Sequence, residues 1–183
     1  MAFKNKEIHN PKTGQHIKFL QTRKDTNGAL LEMESVYDPF STEPPAHYHP
    51  YQAENFRVIE GELTVRINGT LKIFKKGDTL NIAPNVVHSM WNNSERKTVV
   101  NWKVKPALDT EYLLETTAAL AEHNKTDEAG RPPILQVAVM MDEFSDMFRL
   151  ATPPYPVQRI AFSILTPISF LLGYKATYEK YLD

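Results

Sequence analysis

Between Leu63 and Ile73 the chain carries the pattern that most restricts its fold. Leu63, Val65 and Ile67 alternate with polar residues up to Asn68-Gly69, and Leu71 and Ile73 alternate after it. A period of two buries one face of a strand. Asn-Gly is the dipeptide that a two-residue type I′ turn requires, because both central residues take positive φ. The stretch therefore reads as an antiparallel hairpin. Similar short segments run from Thr13 to Pro106, punctuated by Gly, Pro and Asn. Ile17 and Phe19 alternate with polar neighbours, and Leu31, Met33, Ser35 and Tyr37 share one face of a further strand. Leu80 and Ile82 approach Pro84, and Thr98 to Val104, with Trp102 inside it, ends before Pro106. Many short strands at regular spacing indicate a barrel or sandwich.

Beyond Pro106 the period changes. Asp109 can cap a helix carrying Leu113, Leu114, Thr117, Leu120 and Ala121, with His123 near its end. After the polar stretch Asn124 to Arg131 and Pro132-Pro133, the residues Ile134, Val137, Met141, Phe144 and Phe148 form one apolar helical stripe. Thr152-Pro153-Pro154-Tyr155-Pro156 breaks the chain before an apolar segment, Val157 to Leu172, which Pro167 interrupts. A tail with Tyr174, Lys175, Tyr178, Lys180 and Tyr181 follows. With 183 residues, 42% of them hydrophobic, the chain suits one core with an appendage. The expected division is a β-barrel over 1–106 and a helical extension over 107–183, packed on the barrel or on a dimer partner.

The chain has no cysteine, so disulfides and thiolate ligands are excluded, and a tightly held metal must use nitrogen and oxygen. Twenty-one basic against 22 acidic residues give a net charge of -1, which argues against nucleic acid as a partner. Residues 1–15 hold no apolar secretion core, so the expected location is cytoplasmic. Ile160 to Leu172, with Arg159 before it and Tyr174 and Lys175 after it, is too short to span a bilayer. Contact of 157–181 with a membrane surface is one reading of it, and packing on the barrel or on a second subunit is the favoured one, which leads to the expectation of a homodimer.

Chemistry concentrates in Ala46-His47-Tyr48-His49-Pro50-Tyr51-Gln52-Ala53-Glu54. Two histidines at i and i+2 of a strand point to the same face, so both imidazoles can reach one ion at about 2 Å. Glu54 has the opposite parity and can join them only across a break, which Pro50 favours. His88 is the fourth candidate, brought across by a separate strand. Tyr48 should point outward. Tyr51 and Gln52 are weaker candidates for the surroundings of the site, while Phe56, Val58 and Met90 have the parity of barrel core. His9, His16 and His123 show no partner at ligand spacing and read as surface or capping histidines.

These residues resemble the two motifs of the cupin superfamily, over about residues 30–105. His47, His49, Glu54 and Gly61 match the first motif in type and spacing, with Ser41 in place of its opening glycine. Gly77, His88 and Asn92 match the second, with Ala83 at the proline position and Asn85 at the second glycine. The resemblance implies a mainly β, double-stranded β-helix (jelly-roll) barrel in which His47, His49, Glu54 and His88 bind one divalent metal. Iron or manganese is expected, and zinc, nickel and copper suit the same donors. The plainer alternative is a polar network without metal.

Open positions on such an ion would admit a small organic ligand or substrate, dioxygen or water. The leading function is a metal-dependent, oxygenase-like enzyme acting on a small organic molecule, with no general acid or base identifiable. The alternatives are a metal-dependent isomerase or decarboxylase, and a non-catalytic cupin that binds or senses a small molecule.

Overall fold

A computed structural model describes residues 2–178. Lys180 and Tyr181 of the expected tail lie outside the described residues. Ten strands come first: β1 Glu7–Asn10, β2 Gln15–Gln21, β3 Leu31–Tyr37, β4 His47–Tyr48, β5 Ala53–Glu60, β6 Glu62–Ile67, β7 Thr70–Lys75, β8 Thr79–Ile82, β9 His88–Trp91 and β10 Thr98–Lys105. Helix α1 Thr110–Glu122, helix α2 Ile134–Glu143, a short β11 Arg149–Leu150 and helix α3 Tyr155–Leu171 complete the chain. Two antiparallel sheets face each other, in the orders β1-β2-β3-β10-β5-β8 and β11-β4-β9-β6-β7. The fold is mainly β with three helices at its C-terminal end, as expected.

The alternating residues fill the space between the sheets. Leu31, Met33, Ser35 and Tyr37 of β3 are all buried, as are Ile17 and Phe19 of β2. Phe56 and Val58 of β5 meet Leu63 and Val65 of β6 and Val100 and Val104 of β10 in one apolar cluster. Burial of such side chains contributes about 1.5–3 kcal/mol each and outweighs the modest intrinsic preferences of the strands.

At the hairpin, Asn68 and Gly69 both take positive φ, 47° and 82°. The strand beyond it corrects the sequence reading, because Leu71 and Ile73 are 53% and 58% exposed. A two-residue turn sets Ile67 opposite Thr70, Val65 opposite Lys72 and Leu63 opposite Phe74. Residues directly opposite share a face, so inward parity switches from odd on β6 to even on β7. Phe74 packs on the core instead.

The helical part holds three further corrections. Asp109 stands at the N-cap of α1 but makes no side-chain capping bond, and its carboxylate accepts from the Arg23 guanidinium. Helix α2 closes at Glu143, buries Gln136, Ala138, Val139 and Met140, and leaves Ile134 exposed. Phe148 lies past that helix, beside β11, and not on its stripe. Helix α3 continues through Pro167, and its buried positions are Gln158, Phe162, Thr166 and Ser169. Val157, Ile160, Ile164, Ile168 and Leu171 face outward, so the apolar side of α3 is the exposed one. Among the described residues no helix is long and apolar enough to cross a membrane.

Candidate metal centre

His47 of β4 pairs directly with His88 of β9, and His49 follows two residues on. The His47 and His88 ring centroids lie 4.5 Å apart, and His49 lies 5.2 Å from His47 and 5.3 Å from His88. One nitrogen from each imidazole falls within 4.8 Å of the other two. Each Nδ1 meets a backbone carbonyl: His47 that of Pro45 at 2.9 Å, His88 that of Val86 at 2.9 Å, and His49 that of Met147. A carbonyl can only accept, so Nδ1 carries the proton in each case. With Nδ1 so committed, a ring in its neutral form turns the Nε2 lone pair inward, the tautomer a metal ligand needs.

Glu54 reaches the histidines from the opposite sheet. The chain leaves one sheet at Tyr48, crosses through buried Pro50 and enters the other at Ala53, which supplies the break its parity required. Asn85, with φ 65°, clamps the crossing by donating its N–H to His49 O at 2.9 Å and its amide to Pro50 O at 3.4 Å. Asparagine tolerates this left-handed backbone, so it can stand where the motif has glycine. The other departure, Ser41, uses its hydroxyl to accept from Asn92 N at 2.8 Å, tying the two motif segments together.

The Glu54 carboxylate is divided between two tasks. Its Oε1 accepts from the Trp102 indole N–H at 3.0 Å. Its Oε2 stands 2.9 Å from His88 Nε2 and 3.3 Å from His49 Nε2. Those three atoms are buried and make no hydrogen bond of proper geometry. With every Nδ1 proton committed elsewhere, acceptors face acceptors unless a proton or a cation stands among them. The three imidazoles fit a divalent ion, and the Glu54 carboxylate stands beside two of them. Electrostatics agree: burial alone would push Glu54 up, but the imidazoles of His49, His88 and His47 hold it down to about 2. Burial first, then His88 and His49, holds His47 down to about 3. His88 is raised against its burial by Glu54.

The C-terminal extension covers this centre. β11 pairs antiparallel with β4, Leu150 opposite His47 and Arg149 opposite Tyr48. Phe148 stacks on His47 at 4.5 Å and 22° and meets His49 edge-on at 6.0 Å. Phe148 also lines a cleft of about 530 Å³ with Arg149, Tyr155 and Arg159. The ring thus stands between that cleft and the imidazoles.

Other sequence candidates fall elsewhere. Tyr51 is exposed. Gln52 is buried but donates to Pro106 O, Ala107 O and Thr110 Oγ1 at 2.8, 3.0 and 2.8 Å, so it anchors the start of the extension. Phe56, Val58 and Met90 are core, and half-buried Tyr48 stands opposite Arg149 of the neighbouring β11. His123 bonds Ala119 O at the end of α1. His9 and His16 do have partners, each other and Asp38, because strand register brings together what spacing separates. Sequence reasoning missed Trp102, Met147 and Phe148. An inward indole N–H needs a buried acceptor, so the parity of Trp102 was the available signal; nothing local marked the other two.

Two sheets closing on an imidazole and carboxylate cluster define a double-stranded β-helix with a candidate metal centre. Residues 33–102 match the family model for the Cupin domain, and the two-sheet barrel that contains them has the cupin fold. The chain is similar to the probable oxidoreductase virH of Hypocrea virens, 27% identical over 153 residues, covering 75% of this chain and 67% of that protein. It is also similar to an oxidoreductase of Arthrobotrys oligospora, 40% identical over 55 residues, 30% of this chain and 22% of that one. Among solved structures it is similar to an RmlC-like cupin from Shewanella frigidimarina, with TM-score 0.49 and 21% identity over 61% of this chain and 94% of that one.

Proposed function

We propose that His47, His49, His88 and Glu54 hold one divalent metal ion, and that the chain is a metal-dependent cupin oxidoreductase acting on a small organic molecule. The observation that carries this reading is the set of buried, inward-turned Nε2 and Oε2 atoms that lack hydrogen bonds while every Nδ1 is fixed from behind. The oxidoreductase names of two relatives support the oxygenase-like direction. Three imidazoles and one carboxylate suit iron or manganese, the metals favoured here. When bound, such an ion polarises a substrate oxygen or activates dioxygen. The chain's own residues do the rest. Trp102 orients Glu54, the three carbonyls fix the imidazoles, and Phe148 shields His47 from water.

The test is elemental analysis of the purified protein beside His49→Ala and Glu54→Ala, followed by oxygen uptake with each added metal across phenols, diketones, thiols and sugars. Both variants are expected to lose most of their metal while keeping the β circular-dichroism signature. Unchanged stoichiometry in both discards the ligand set. A loaded protein that binds compounds from the panel without turnover overturns the enzyme in favour of a binding or sensing cupin.

A further inference from the structure

We propose that His9, His16 and Asp38 form a second divalent-cation site on the outside of the N-terminal hairpin, independent of the barrel centre. β1 and β2 pair so that His9 lies directly opposite His16. Opposed residues of an antiparallel pair have Cβ atoms about 4.5–5.5 Å apart, a span that two imidazoles can close on one ion. The rings are stacked, with centroids 3.9 Å apart and planes 10° from parallel. Asp38, the residue after β3, brings Oδ2 within 3.5 Å of His16 Nε2. One ligand atom from each of the three residues lies within 4.8 Å of the other two. Tetrahedral ligands on bonds of about 2.0–2.1 Å stand roughly 3.4 Å apart. Coordination therefore needs the two stacked rings to tip towards each other, a turn about the Cβ–Cγ bond, whose torsional well is broad.

The backbone beneath the carboxylate is held from two sides. Asp38 N donates to Gly14 O at 2.8 Å, and Asn92 Nδ2 donates to Asp38 O at 2.9 Å. Gly14, at φ 68°, makes this approach possible, since a Cβ there would stand 3.2 Å from that of Asp38. His9 and His16 also open onto a cavity of about 420 Å³ between the hairpin and α1, which Glu122 lines. Glu122 is close enough for its charge to act on the His9 imidazole, adding negative potential beside a cation. Two imidazoles and a carboxylate, half-exposed and without thiolate, suit zinc, nickel or copper. An ion there would clasp the hairpin to the end of β3. It shares no ligand with the barrel cluster.

The test is calorimetric titration of the chelator-stripped full chain with zinc ions alone. Wild type is expected to show two classes of site, and His9→Gln or His16→Gln to weaken the second about tenfold or more while leaving the first unchanged. Asp38→Asn should weaken the same class. In His49→Ala the outer class is expected to persist and to be lost when His16→Gln is added, so failure of the barrel reading leaves this experiment intact. Binding isotherms that His9→Gln and His16→Gln leave unaltered, or a single class of site in wild type that only His49→Ala removes, overturn the second site. Both glutamine substitutions are at exposed hairpin positions, and matched melting temperatures without zinc check the fold.

Discussion

Trp102 has one hydrogen-bond donor in its side chain, and the donor points at the carboxylate that faces His49 and His88. Trp102→Phe removes that bond while a ring remains to stack on Phe56, now 5.5 Å away. Partners behind a ligand typically tune metal affinity about 10- to 100-fold. The expected outcome is a loss of that size in competition with a chromogenic chelator, and an unchanged affinity would remove Trp102 from the centre. A pH prediction belongs at the same scale. His47 is held at about 3, below its ordinary 6.5, so in the metal-free protein the unfolded chain takes up a proton that the fold refuses. Its contribution to stability is complete above 6.5 and is lost as pH falls towards 3. Glu54, held at about 2 against 4.5, likewise contributes fully above 4.5 and loses that contribution below it. His88 has the opposite sign, because its raised value favours the fold below 6.5 and that benefit fades as pH rises past the folded value. Melting temperature of chelator-treated protein should therefore fall from pH 6.5 towards 4, and His47→Gln should flatten the decline. An equal slope in that variant would refute the assignment.

Among the elements, β11 has two residues and consequences out of proportion to its length. Its pairing with β4 brings Met147 O to His49 and the Phe148 ring to His47. Phe148→Ala is expected to cost about 1–2 kcal/mol, as truncation of a half-buried aromatic does, and to speed metal loss to a chelator severalfold. Equal release rates would show that the ring does not cover the centre. The β6–β7 hairpin shows what is legible at this scale. Its turn could be read from Asn68-Gly69, because that dipeptide selects its own backbone geometry. Which residues of β7 face the core could not be read from alternation alone, since alternation is equally consistent with either face. The stripe expected on α2 held in part: Phe144 is buried with Met141 and Phe148 packed against its cluster, while Ile134 is exposed and the helix ends at Glu143, so tertiary packing decided which of its residues were covered.

Across the whole molecule, the exposed row Val157, Ile160, Ile164, Ile168 and Leu171 is the surface on which the homodimer expected from the sequence would form, and that assembly stands as a proposal. Sedimentation should show a dimer that Ile160→Glu combined with Ile164→Glu converts to monomer; a monomeric wild type would discard it. The division into short strands followed by helices, the hairpin turn and the types of the four candidate ligands followed from the sequence, because each depends on neighbours a few residues apart or on motif spacing. The union of Trp102 with Glu54 spans 48 residues, and that of His49 with Met147 spans 98. No local period encodes such contacts. Tertiary structure alone decided that the extension adds a strand beside His47, that Phe148 covers the imidazoles and that His9 meets His16 and Asp38, because register and packing set those distances and chain spacing does not.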